Sequence, residues 1–79
     1  MEALRIATTN LEESRGMVEE MIKKSSHHLG LAHQSETRER EAYHMWKYEV
    51  YISRYEHFLQ IAERDERILN NIEEDYENH

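Results

Sequence analysis

The fold of this chain is decided by residues 36–79, which read ETREREAYHMWKYEVYISRYEHFLQIAERDERILNNIEEDYENH. This segment contains neither Gly nor Pro, and its apolar residues recur every three or four positions, as on one side of an α-helix. The spacing predicts a long helix from about residue 36 to about 74. Four acids near the helix C-terminus, where the macrodipole disfavours negative charge, predict an acidic, fraying tail over residues 73–79. The main apolar repeat comprises Met45, Tyr48, Ile52, Tyr55, Leu59, Ala62, Leu69 and Tyr76, and Glu66 and Glu73 interrupt it.

A second, shorter helix is predicted upstream, at about residues 3–29. Thr9 and Glu12 fit a capping box, and Gly30 is the residue type that commonly ends a helix. Ser35 is a suitable N-cap for the next helix, so residues 30–35 form the predicted loop. The chain is therefore expected to be all-α: a single antiparallel helical hairpin domain, residues 1–79, with a short first helix and a long second one. Its apolar repeat in the first helix is Leu4, Ala7, Leu11, Ser14, Val18, Met21 and Ser25.

The size and composition of the chain indicate that one hairpin does not stand alone. The chain has 79 residues and no Cys, and so small a core rarely supplies more than about 3–5 kcal/mol. An isolated hairpin would also leave a flanking apolar row in water, and exposed rows of this kind mark interfaces. We therefore expect a homo-oligomer, most simply a dimer forming a four-helix bundle or coiled coil; the alternative is one hairpin docked on a different protein. The predicted partner-binding residues are Trp46, Tyr51, Phe58, Ile68 and Ile72.

The distribution of charge argues against nucleic-acid and membrane partners. The net charge is −7, and residues 63–79 carry two Arg against seven acids. No segment is net basic, whereas a phosphate-binding face requires a basic stripe. No apolar run approaches the 18 residues that a membrane span needs. The first residues do not resemble a signal peptide, so a cytoplasmic location is expected.

Glu41-Ala-Tyr-His44 is the one motif that could bind a metal. The Glu-x-x-His spacing puts a carboxylate and an imidazole one turn apart, as in di-iron helical bundles. In this respect the chain resembles the two-helix encapsulated ferritins, whose site combines this motif with a Glu of the first helix across a dimer. The resemblance implies a site for iron or another divalent metal at Glu41 and His44. A hairpin folded about residues 32–33 would place Glu19 or Glu20 level with His44.

The remaining motifs give no sign of catalysis. No Ser lies in a strained, glycine-flanked turn, and no glycine-rich phosphate loop is present. We therefore expect a non-enzymatic protein–protein interaction module without a cofactor: an adaptor, a chaperone-like protein or an inhibitory regulator. The alternative is a ferritin-like metal-binding hairpin.

Overall fold

The molecule is a rod formed by two antiparallel helices. The computed structural model describes residues 2–78, in which α1 spans Glu2–His33 and α2 spans Arg38–Glu77. The rod measures 63 × 14 × 13 Å, and its length matches the about 60 Å expected of a 40-residue helix at 1.5 Å per residue. The predicted all-α helical hairpin is confirmed. Neither helix has an apolar stretch long enough to cross a membrane, within the described residues.

The turn lies further along the chain than the predicted loop. Gly30 does not end α1 but lies inside it, since Leu31 and Ala32 continue the helix to His33. Thr37, rather than Ser35, is the N-cap of α2, and its hydroxyl accepts a hydrogen bond from the Arg40 amide at 3.2 Å. Residues 34–37 therefore make the turn, because buried Ala32 keeps the last turn of α1 packed against α2.

The buried side of α1 follows the predicted repeat. Its buried residues all fall on that repeat or on its continuation by sevens, which places them on one side of the helix. Two of them are serines, Ser14 and Ser25, whose hydroxyls donate hydrogen bonds to the carbonyls of Leu11 and Ile22 at 3.1 and 2.9 Å. Burial therefore leaves neither hydroxyl without a partner. The buried residues of α1 are Ala7, Leu11, Ser14, Met21, Ser25 and Ala32.

In the second half of α2, the buried side differs by one residue from the prediction. Asp65 is buried and Ile72 is half-buried, whereas Glu66 and Glu73 are exposed. The helix is thus turned so that its contact row runs through Ala62, Asp65, Leu69 and Ile72. This rotation keeps a regular alternation of three and four residues, covers part of Ile72 and leaves both glutamates exposed. Its consequence is one buried carboxylate, that of Asp65.

The interface between the helices is thin and pairs small residues with large ones. The buried positions of α1 are mostly Ala and Ser, and those facing them on α2 include half-buried aromatic residues such as Tyr51 and Phe58. Among residues 2–78 no large side chain is fully buried. The core is therefore limited, as expected of so short a chain.

The acidic end of α2 is helical through Glu77, and the Asn78 amide donates a hydrogen bond to the Glu74 carbonyl at 3.0 Å. Fraying of residues 73–79 in the free protein stays a prediction. The last residue of that tail, His79, lies outside the described residues.

Candidate interaction surface and histidine pair

The predicted partner-binding residues divide into two groups in the structure. Trp46 and Ile68 are exposed, at 57% and 45% of their surface. Tyr51, Phe58 and Ile72 are half-buried and turn towards α1: Tyr51 stacks on an imidazole of α1, and the other two line clefts between the helices. These three side chains therefore also pack within the hairpin, and a role of the five residues in partner binding stays a prediction.

A different apolar surface lies open along one side of the rod. Two contacts show how the helices are aligned: Lys24 lies over Tyr51, and His28 lies against His44. This alignment places Ile22 level with Ile52. Spacings of seven keep the residues of each helix on one side. Ile22 is 46% exposed, and the other members are half-buried. We call this surface the Ile22 face, and it comprises Val18, Ile22 and Leu29 of α1 with Met45, Ile52 and Leu59 of α2.

The edges of the Ile22 face are acidic. Val18 and Leu59 line a cleft in which the three carboxylates of Glu19, Glu63 and Glu66 outnumber the one cation, Arg15, which lies 3.7 Å from Glu66. The exposed glutamates Glu49 and Glu56 continue the row of Glu63 at intervals of seven. An apolar centre with a charged rim is the usual anatomy of a protein–protein interface.

The opposite side of the rod is cationic around one aromatic ring. Lys24, Lys47 and Arg54 lie 5.5–5.7 Å from the centre of the Tyr51 ring, within the range of cation–π attraction. Lys24 also pairs with Glu20 at 2.9 Å, and this hydrogen-bonded carboxylate raises the pKa of Lys24. The two sides of the hairpin therefore differ in charge.

The predicted metal motif does not gain the expected carboxylate within one chain. Glu20 is paired with Lys24 and shares a cleft with Ser53 and Arg54, well along α2 from His44. The register differs from the predicted one because the turn lies at residues 34–37. Within the described part of the chain, no group of three or more His, Asp or Glu side chains could hold a metal ion. A site at Glu41 and His44 across a dimer stays a prediction.

The residue that does meet His44 is His28. The two Nδ1 atoms are 3.1 Å apart, and the ring centres lie 5.3 Å apart with the ring planes at 30°. Desolvation lowers the pKa of His28, and His44, His27 and Lys47 lower it further. The sequence carried a signal for this pair, since His28 lies seven residues beyond Met21 on the α1 repeat. The pair was not predicted because the turn was expected at residues 30–35, which gave a different alignment of the helices.

Comparison of the chain with protein-family models, with curated proteins and with solved structures finds no match. The function is therefore inferred from the open surface and from the histidine pair.

Proposed function

We propose that this protein is a non-enzymatic protein-interaction module that acts as a homo-oligomer, with a second copy covering the Ile22 face. The observation that carries the proposal is this apolar surface on a rod whose own core is thin. Ile22 beside Ile52 and Leu29 beside Met45 give it the width of two helices, which suits a second hairpin. A cytoplasmic setting, and the absence of catalysis and of nucleic-acid partners, stay predictions.

The charges along the rod favour an antiparallel arrangement of the two copies. The turn half, residues 18–53, carries five Lys/Arg and six acids, together with four histidines. Residues 2–17 and 54–77, at the other end, carry five Lys/Arg and eleven acids. An antiparallel dimer brings each acidic end beside the nearly neutral turn half of its mate. A parallel dimer would bring the two acidic ends together, which is repulsive.

The first experiment measures mass by light scattering at micromolar concentration. We expect twice the 9.6 kDa of one chain, and Ile22→Glu should return the mass to that of a monomer. Ile6→Glu is the matched control, because Ile6 is 51% exposed and lies near the far end of α1. If Ile68→Glu dissociates the dimer and Ile22→Glu does not, the interface lies instead on the surface around Trp46 and Ile68. A monomeric parent protein would refute self-association.

The second experiment tests orientation by disulfide cross-linking, since the chain has no Cys of its own. In an antiparallel dimer centred on Ile22 and Ile52, Ile22→Cys should cross-link to its mate. Glu63→Cys should not, because its two copies would lie about 30 Å apart. A dimer in which neither position cross-links would indicate a parallel arrangement, because α1 would then face α2 of its mate.

The salt dependence of binding distinguishes self-association from binding of a basic partner. Because each copy carries −7, self-association should strengthen as salt is raised from about 20 to about 200 mM. Binding of a basic partner to the acidic rim would weaken over the same range.

A further inference from the structure

The His28–His44 pair brings two nitrogen atoms that can bind a metal to within 3.1 Å of each other, with the two rings nearly end to end. Two neutral imidazoles at this Nδ1–Nδ1 distance of 3.1 Å need a proton between them, since two facing lone pairs repel. A metal ion can take the place of that proton. With metal–nitrogen bonds of about 2.0–2.1 Å, the observed separation corresponds to an N–metal–N angle of about 100°. This angle lies between the square-planar and tetrahedral values.

We propose that His28 and His44 form a two-histidine chelate for a divalent transition metal such as Cu²⁺, Ni²⁺ or Zn²⁺, with water completing the coordination. Imidazole nitrogen suits these three ions, whereas Mg²⁺ and Ca²⁺ prefer oxygen. The site lies within one hairpin, and it requires neither a second copy nor Glu41.

The surrounding side chains hold both rings in place before any metal binds. The His28 ring lies between Tyr51, at 5.6 Å, and His44. Tyr43 packs edge-on against the other face of the pair, 5.1 Å from His44. Because these neighbours restrict both rings, the rings need only to tilt until their lone pairs converge on the ion, and binding costs little conformational entropy.

Lys47 is the main charge that opposes a dication at this position. Its ammonium lies 5.5 Å from the centre of the Tyr51 ring, next to the His28 ring that the tyrosine stacks on. Removing this charge in Lys47→Gln should therefore tighten metal binding. Substituting a residue that only packs against the pair would not tighten metal binding.

A bound metal would join α1 to α2 close to the turn. Anything that binds the folded state alone stabilises it by an amount that grows with the logarithm of the ligand concentration. At a hundredfold excess over the dissociation constant, this corresponds to a rise in Tm of about 10–20 °C for a chain of this length.

The experiment titrates untagged protein with CuSO₄, NiCl₂ or ZnCl₂, following heat by calorimetry and Tm by circular dichroism. Cu²⁺ and Ni²⁺ should also quench the fluorescence of Trp46, the only Trp, two positions from His44. We expect one metal per chain and a raised Tm, with both lost in His28→Gln and in His44→Gln. His57→Ala and Glu41→Ala are the controls that should bind like the parent. Equal binding in the two Gln variants, or its loss in Glu41→Ala, would overturn the assignment.

Two further measurements keep the test independent of folding and of self-association. In the parent protein, Zn²⁺ should shift the ¹⁵N resonances of the His28 and His44 side chains alone, and shifts confined to other histidines would overturn the proposal. The monomeric Ile22→Glu variant should bind metal as the parent does. Loss of binding there would show that the site needs a second chain.

Discussion

Replacing Asp65 by Leu should stabilise the protein, although it removes a charge that has an ion-pair partner. Asp65 is 7% exposed and occupies a contact position of α2, and its one ion pair, with exposed Arg64, is 3.5 Å long. Such a pair contributes at most about 1 kcal/mol. Burying a Leu side chain gains about 1.5–3 kcal/mol, and the cleft lined by Ser14, Met17 and Phe58 leaves room for it. We expect a net gain of about 1–2 kcal/mol.

The assay is thermal and urea unfolding at one fixed protein concentration, because self-association makes Tm depend on concentration. For a chain of this length, the gain corresponds to a rise in Tm of about 5–10 °C. Glu66→Leu is the matched control one residue away, and its exposed position predicts a change within about 0.5 kcal/mol. A lower Tm for Asp65→Leu, or a larger gain for Glu66→Leu, would refute the placement of this part of α2.

Three other predictions follow from the packing and the caps. In the monomeric Ile22→Glu variant, Leu11→Ala, at a buried position, should cost about 2–4 kcal/mol in urea unfolding, and half-buried Leu59→Ala should cost clearly less; equal costs would contradict the observed core. Thr37→Ala should lower stability by about 1 kcal/mol through loss of the N-cap, whereas Ser35→Ala should change little, and the reverse order would place the cap at Ser35. The pKa of His28 is lowered in the folded protein, so the unfolded chain binds protons more readily there and stability should fall as pH drops below about 6.5. In metal-free buffer, His28→Gln should flatten this part of the pH profile, and an unchanged profile would remove His28 as its cause.

The absence of Gly and Pro over residues 36–79 and the three–four spacing of apolar residues determined that this chain forms two helices. The α1 repeat also identified the buried side of that helix, because helical periodicity is a local property that needs no knowledge of the partner. The antiparallel arrangement followed as well, since a short connection between two helices leaves little choice of direction.

The register between the helices could not be obtained from local signals. Gly30 is a good C-cap by composition, yet packing of Ala32 continues α1 to His33, and the turn moves to residues 34–37. That shift brings His28, rather than Glu20, beside His44. On α2, two adjacent apolar rows compete for the contact with α1. The choice of Asp65 and Ile72 over Glu66 and Glu73 depends on how both helices bury their side chains together. The tertiary structure alone therefore decided which apolar row stays open, because a contact belongs to two helices and periodicity describes only one.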